Sequence, residues 1–277
     1  MIKIENTDID LKGTIECGQI FRYEKESDNS YTIILSDRVV NVKKEEDVLY
    51  VSSNNENNLE SVIKNYLDLD RDYDSLNKKL IKDNNELSSI IDFCKGFKII
   101  NQPKFECIIS YILSSNNGVN QIRNSLNLIS EKYGKKVIFN NKDYYLFPSS
   151  TDLKNVTKED YRILKTGFRD KYIFDMVKKI NYKDFIIDDI DNMNSNDALN
   201  YLMSNKGIGE KVSSCILLFS YSRFDVFPID TWVKKYMKDT YNILTVNEIK
   251  KFSMEKYGEY SGLVIQYMFH YKRNKEN

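Results

Sequence analysis

The hydrophobic pattern of this chain changes its period after Asn57, and this change limits the folds that the chain can adopt. Before that point, short β-branched and aromatic runs alternate with turns rich in Asp, Asn and Glu, which is typical of an antiparallel sheet. We predict strands at residues 31–35, 38–42 and 48–51. The first part of the chain therefore favours an antiparallel meander.

Beyond that point the apolar residues recur at intervals of three and four, which is the spacing of helices. Only 3 prolines and 10 glycines occur in 277 residues, so few positions would interrupt a helix. The clearest helical segments are 59–67, 90–94, 105–113, 122–133, 173–180 and 198–203, with an acidic connection at 184–191. The sequence therefore predicts an α+β protein, with an N-terminal antiparallel β domain followed by a helical part.

Composition excludes several classes of protein. Hydrophobic residues make up 41% of the chain and its net charge is zero, which argues against disorder. The single histidine, His270, excludes mechanisms that need several histidines. The four cysteines are far apart without a CxxC pair, so we expect buried, reduced thiols and no iron–sulfur cluster.

Charge and hydropathy also suggest a partner and a location. Residues 1–100 carry 14 basic and 20 acidic side chains, whereas residues 101–277 carry 27 and 21, so the second part could face a polyanion. No apolar run approaches the ~18 residues of a membrane span. The N-terminus has no apolar signal core, so we expect a cytoplasmic protein without membrane contact.

Residues 207–209 form a Gly-Ile-Gly turn between two apolar helical segments. Glycines there allow positive φ and close backbone approach. They also leave the first N–H groups of the second helix exposed, and such groups can bind a phosphate. A Gly-x-Gly turn alone is more often structural, but its position between two helices favours contact with a nucleic-acid backbone.

Lys211 and Asp230 stand out within this region. Lys211 lies in the first turn of a helix, where a cation is disfavoured, so it is either a solvated surface lysine or an amine kept neutral as a nucleophile. Asp230 fits the N-cap of a helix over 231–238 and could also direct its carboxylate toward the same cleft.

These residues resemble a known family. The run 207–212 (GIGEKV), followed by 226–230 (VFPID), is similar to the Lys and Asp motif of the helix-hairpin-helix DNA glycosylases. Four further blocks resemble the 8-oxoguanine DNA glycosylase/lyases in order: 17–22 (CGQIFR), 66–70 (YLDLD), 102–117 (QPKFECIISYILSSNN) and 167–172 (GFRDKY). The resemblance implies a TATA-binding-protein-like β domain with helices at 1–98 and a helical domain of two subdomains at 99–277, with the hairpin near 198–219.

The resemblance also implies an activity and its residues. The family flips 8-oxoguanine out of duplex DNA, excises it and cleaves the strand by β-elimination, with Lys211 as Schiff-base nucleophile and Asp230 as its electrostatic partner. The other implied residues are Gly18, Cys215, Phe269 and Gln266 in the base pocket, Asn116, Phe168 and Arg169 at the opposite base, and Gly207, Gly209 and Val212 at the DNA phosphate. It implies a monomer associated with the nucleoid that needs no cofactor and no metal for chemistry, although hairpin carbonyls could hold a structural cation.

Three positions depart from the family pattern. Gln121 replaces an arginine that reads the opposite cytosine, so preference for that base is expected to be weaker. Ile265 falls where the family has a base-reading glutamine, with Gln266 beside it, and Trp232 replaces a histidine near the phosphate.

Two alternatives remain. Another helix-hairpin-helix glycosylase of different base specificity is one, although no cysteine follows Cys215 to form the cluster of the endonuclease III and adenine glycosylase branches. The alkyl-base branch generally lacks the lysine. A non-enzymatic DNA-binding protein that uses only the hairpin is the other alternative.

Overall fold

The computed structural model describes residues 1–276, and an antiparallel five-stranded sheet occupies its N-terminal part. The strands are β1 (Ile2–Ile4), β2 (Tyr23–Lys25), β3 (Tyr31–Ile34), β4 (Val39–Glu45) and β5 (Val48–Ser53), in the spatial order β1-β5-β4-β3-β2. Ile33 pairs with Val40, and Val42 pairs with Val51, and all four side chains are fully buried. One face of the sheet therefore forms a core.

The three predicted strands are confirmed as β3, β4 and β5. The two edge strands, β1 and β2, were not predicted, because each has only three residues and is too short to show an alternating pattern. Helices α1 (Leu11–Glu16) and α2 (Leu59–Tyr66) pack their apolar residues against this sheet.

The rest of the chain is mainly helical, as predicted. Its helices are α3 (Tyr73–Asp83), α4 (Ser88–Phe93), α5 (Lys104–Ser114), α6 (Val119–Tyr133), α7 (Lys158–Ile163), α8 (Asp170–Tyr182), α9 (Ser195–Met203), α10 (Glu210–Ser220), α11 (Thr231–Tyr241), α12 (Val246–Tyr257) and α13 (Ser261–Glu276). They enclose a second, larger core. Cys94 and Phe97 lie in this larger core, so α3 and α4 pack with the later helices. The domain boundary between residues 98 and 99 stays a prediction.

A β-hairpin within the helical part was not predicted. Strands β6 (Lys136–Phe139) and β7 (Lys142–Tyr145) are joined by Asn140 and Asn141, with φ of 49° and 59°. A two-residue hairpin turn with positive φ at both positions favours asparagine. The Asn-Asn pair between two β-branched and aromatic runs was therefore the available signal.

Two buried glutamines hold the N-terminal part against the helices. The Gln19 side chain donates to the Lys98 carbonyl at 2.8 Å and accepts from the Ile100 N–H at 2.9 Å. The Gln102 amide donates to the Gln19 carbonyl at 2.8 Å, and its backbone N–H donates to the Phe219 carbonyl at 2.7 Å. These bonds fix the loop after α1 beside α10, where the candidate site lies.

Candidate active site

The predicted helix-hairpin-helix forms from α9 and α10. Gly207, between them, has φ of 89°, and a Cβ placed on it would lie 2.5 Å from Cγ of Tyr172. Gly209 is the N-cap of α10, with φ of −95°, and a Cβ placed on it would meet no atom within 4 Å. Within residues 1–276 no side chain caps this helix, so its first N–H groups have no side-chain acceptor there. The Val212 side chain is buried in the larger core.

A pocket of about 310 Å³ lies between the loop after α1 and helices α5, α10, α11 and α13. All six residues predicted for catalysis and for the base pocket line it: Gly18, Lys211, Cys215, Asp230, Gln266 and Phe269. The fold therefore brings together residues from both ends of the chain. Tyr111 and Trp232 also line this pocket.

Lys211 faces the pocket from the first turn of α10. Its Nζ lies 5.5 Å from the centre of the Tyr111 ring. Within residues 1–276, no carboxylate oxygen lies within the 4.0 Å of an ion pair with this ammonium. Lys211 therefore differs from a lysine held in a structural salt bridge, because its amine is left available on the pocket wall.

Cys215 lies one turn after Lys211 on the same face of α10. Burial raises the pKa of its thiol, while the nearby Lys211 ammonium acts in the opposite direction. The thiol is therefore neutral at physiological pH and offers a polarisable, apolar surface to the pocket.

Asp230 is the N-cap of α11, as predicted. Its Oδ1 accepts a hydrogen bond from the Val233 N–H at 2.9 Å. Burial raises the pKa of the Asp230 carboxyl, while the Val233 N–H and the Lys211 charge oppose that rise. A carboxyl with a raised pKa exchanges protons more readily near neutral pH than an exposed aspartate does.

Of the neighbouring residues Ile265 and Gln266 on α13, Gln266 lines the pocket and is 6% exposed. Ile265 is fully buried in the larger core. Adjacent residues of a helix point about 100° apart, so only one of the two can face the pocket. The departure from the family pattern is thus a change of position along α13, and a glutamine amide still reaches the site.

Arg273 lines the pocket and was not predicted. It lies four residues after Phe269, so the two side chains share one face of α13. Its Nη1 donates to the Cys17 carbonyl at 2.6 Å. The helical spacing from Phe269 was the sequence signal that could have identified it.

Asn116, Phe168 and Arg169 come together away from the pocket. Asn116 has φ of 49° in the loop between α5 and α6. The Arg169 guanidinium donates to the carbonyls of Ser115 and Asn116, and it lies 4.3 Å from the centre of the Phe168 ring. Phe168 is 51% exposed, so its ring is presented to solvent beside this loop.

Gln121 is exposed in the first turn of α6. The nearby Arg123 does not replace the absent arginine, because its Nε donates to the Phe21 carbonyl at 2.9 Å and its guanidinium lies over the ring of Tyr23. Arg169, which the resemblance assigns to the opposite base, is itself only 6% exposed.

Within residues 1–276, no group of three or more His, Cys, Asp or Glu side chains is arranged to hold a metal ion. The expectation that the chemistry needs no metal or cofactor stays a prediction. Over the same residues, none of the helices has the length and apolar character needed to cross a bilayer.

A helix-hairpin-helix with a pocket-facing lysine in its second helix, and an aspartate capping the next helix, defines a DNA glycosylase of the helix-hairpin-helix class. The profile of the 8-oxoguanine DNA glycosylase N-terminal domain matches residues 1–108. The Clostridium acetobutylicum 8-oxoguanine glycosylase/lyase, solved with double-stranded DNA containing cytosine opposite 8-oxoguanine, is 34% identical. It superposes with a TM-score of 0.93 over 100% of this chain and 99% of that one.

The DNA-free structure of the Clostridium enzyme gives 36% identity and a TM-score of 0.92, covering 97% of this chain and 95% of that one. A probable N-glycosylase/DNA lyase of Methanothermobacter thermautotrophicus is 28% identical over 68% of this chain and 67% of its own length. The chain spans about two thirds of the length of the curated relatives it matches. The chain belongs to the 8-oxoguanine DNA glycosylase/lyase family, and the predicted family and fold class are confirmed.

Proposed function

We propose that this chain excises 8-oxoguanine from double-stranded DNA in base-excision repair and then cleaves the strand, with Lys211 as the nucleophile. The observation that carries this proposal is the convergence of Lys211 and Asp230 on one pocket, with no carboxylate within residues 1–276 paired to the lysine. An N-glycosylase with lyase activity needs such an amine, because a covalent sugar intermediate links base loss to strand cleavage.

In the proposed reaction, Lys211 Nζ bonds to C1′ of the flipped nucleotide as the C1′–N9 bond breaks. The departing base carries away the electron pair of that bond and takes up a proton. The Asp230 carboxylate stabilises the positive charge that develops on the sugar, and it exchanges protons with the amine. The sugar ring opens to an imine on Lys211.

Strand cleavage follows from this imine. Loss of a proton from C2′ expels the 3′ phosphate, and water then hydrolyses the imine and releases Lys211. Burial raises the pKa of the Asp230 carboxyl above its ordinary value, so the carboxylate takes up and returns a proton more readily near neutral pH.

Base recognition is assigned to the pocket walls. The damaged base must leave the helix stack to reach Lys211. We place it between the Cys215 thiol and the Phe269 ring, with Gln266 at its edge. 8-Oxoguanine carries an N7–H donor that guanine lacks, so the Gly18 carbonyl would accept a hydrogen bond only from the damaged base.

The remaining predicted residues contact DNA outside the pocket. Asn116 and Phe168 would fill the gap left by the flipped base, and Arg169 would contact the opposite cytosine. The N–H groups at Gly207, Gly209 and Val212 would bind one phosphate, with positive helix-dipole potential behind them. We propose that the protein acts at the nucleoid in the cytoplasm, where its DNA substrate would lie, and that carbonyls of the hairpin hold a structural cation.

Borohydride trapping tests the central step. The chain is incubated with duplexes carrying one 8-oxoguanine opposite each of the four bases, and reduction fixes any imine as a covalent adduct. We expect an adduct with 8-oxoguanine opposite cytosine and none with Lys211→Gln. The spread of adducts across the other three duplexes measures how far Gln121 weakens preference for the opposite base.

Lys238→Gln is the matched control, because it removes an exposed lysine from the last turn of α11. It should form the adduct at the wild-type level. An adduct that persists in Lys211→Gln would assign the imine to another amine. Binding to the 8-oxoguanine duplex without any adduct would favour the non-enzymatic DNA-binding alternative or a glycosylase without lyase activity.

A further inference from the structure

The backbone carbonyls of residues 17–19 differ in their hydrogen bonding. The Cys17 carbonyl accepts from Arg273 Nη1 at 2.6 Å. The Gln19 carbonyl accepts from Gln102 Nε2 at 2.8 Å and from the Tyr111 hydroxyl at 3.1 Å. Between them, no donor within residues 1–276 bonds to the Gly18 carbonyl, although Gly18 lines the pocket.

This arrangement leaves one acceptor free and fixes its neighbours. Gly18 has φ of 94°, a conformation that glycine adopts without the steric cost borne by other residues. Glycine also rotates easily about both backbone bonds, so the direction of its carbonyl depends on what holds the flanking peptides. Gln102 and Tyr111 hold one side, and Arg273 holds the other side with a side-chain hydrogen bond.

Arg273 also lies near the aromatic wall of the pocket, which the Phe269 ring forms on the same helix. Its guanidinium carbon lies 5.9 Å from the centre of the Phe269 ring, and both side chains project from the same face of α13. The planar guanidinium can donate to a carbonyl at its edge while its face packs near a ring, which an ammonium cannot do with the same geometry. Arg273 thus connects the Gly18 loop to the aromatic wall.

We propose that Arg273 is a positioning and specificity-determining residue for 8-oxoguanine: by holding the Cys17 carbonyl, it keeps the Gly18 carbonyl aimed at the flipped base. Arg273 acts through Gly18 and does not itself take part in bond breaking. This inference rests on the proposed function. It also predicts that Arg273 matters for recognising a base and is dispensable once the base is gone.

The test compares two reactions of the same enzyme under single-turnover conditions. One duplex carries 8-oxoguanine opposite cytosine, and the other carries an abasic site at the same position. Arg273→Ala should slow base excision about 10- to 100-fold, the size expected for loss of one charge-assisted hydrogen bond. Cleavage of the abasic duplex should stay within about twofold of wild type, because no base remains to be read.

Binding supplies a second readout that is independent of turnover. In a Lys211→Gln background, the ratio of affinities for 8-oxoguanine and guanine duplexes should fall about tenfold when Arg273 is changed to Ala. Arg273→Lys keeps the charge and one donor, so it should restore part of this ratio. It is also the deciding variant if Arg273→Ala lowers the melting temperature substantially. Lys275→Ala, which removes an exposed lysine on the same helix, is the charge-matched control and should change none of these values.

The outcomes separate this inference from the proposed function. A parallel loss of excision and abasic-site cleavage in the Arg273 variants would overturn the inference, since it would indicate a general role in folding or DNA binding. Unchanged excision in both variants would overturn it as well. A wild-type chain inactive on both duplexes would instead refute the proposed function, whatever the Arg273 variants do.

Discussion

The two glycines of the hairpin, Gly207 and Gly209, should differ in how much stability the protein loses when each is changed to alanine. Gly207→Ala places a Cβ 2.5 Å from Cγ of Tyr172, at a backbone φ of 89°. A non-glycine residue in this region costs about 1–2 kcal/mol. The added Cβ would also lie 2.8 Å from Cβ of Tyr172, so rotating the ring does not relieve the clash and the whole side chain must move. Such overpacking costs about 1–3 kcal/mol.

We therefore expect Gly207→Ala to lower the free energy of unfolding by about 2–5 kcal/mol. For a chain of this size that corresponds to a fall in melting temperature of roughly 4–20 °C. Gly209→Ala should cost less than about 1 kcal/mol, because Gly209 has an extended backbone and its Cβ would meet no atom within 4 Å. Urea unfolding followed by tryptophan fluorescence and circular dichroism measures both differences.

Measuring the duplex affinity of Gly209→Ala distinguishes an effect on DNA binding from an effect on folding at this turn. Gly209→Ala adds a methyl group on the open side of the α10 N-terminus, where the phosphate is proposed to bind. It should therefore weaken duplex binding while the fold stays intact. A Gly207→Ala protein within about 0.5 kcal/mol of wild-type stability would refute the steric argument. Equal destabilisation by both variants would refute it too.

Two further predictions concern the pocket, and a third concerns the four buried cysteines. Asp230→Asn keeps an N-cap acceptor for the Val233 N–H, so stability should change by less than about 1 kcal/mol while excision falls at least 100-fold. In the wild type, acid should lower the excision rate, because protonation removes the charge of the Asp230 carboxylate. Since burial raises the Asp230 pKa, this fall should occur at a pH above the ordinary aspartate pKa of about 3.9. A rate–pH profile of Asp230→Asn that still falls in the same acidic range would contradict the assignment. Gly18→Ala forces a side chain into positive φ, 3.3 Å from Arg273 Nη1, and should reduce selectivity for 8-oxoguanine over guanine more than affinity for undamaged DNA; equal losses in a binding titration would refute it. The four cysteines are buried, and burial raises the pKa of each thiol, to about 11 at Cys17. A thiol reagent at pH 8 should therefore label the native chain slowly and should label all four cysteines only after unfolding. Rapid labelling of the folded chain would contradict this burial. The burial effect on these thiols favours their neutral form, so the labelling rate should rise steeply with pH or denaturant.

Some features of this protein follow from local sequence alone. The change of period after Asn57, the Gly-Ile-Gly turn and the N-cap at Asp230 each depend on residues close together in the chain. Periodicity reports which face of an element is apolar, and caps and turns depend on a few backbone angles, so short-range patterns determine them. Lys211 and the base-pocket residues could also be predicted from the sequence, because the family motifs place these chemical groups at fixed spacing.

Other features were decided only by the tertiary structure. The sequence left Ile265 and Gln266 open, and the packing of α13 turned Gln266 toward the pocket and Ile265 into the core. The hydrogen bond of Arg273 forms only when α13 packs against the loop after α1, because it joins residues 256 positions apart. Such choices depend on how separate elements pack against each other, and no local pattern of residues contains that relation.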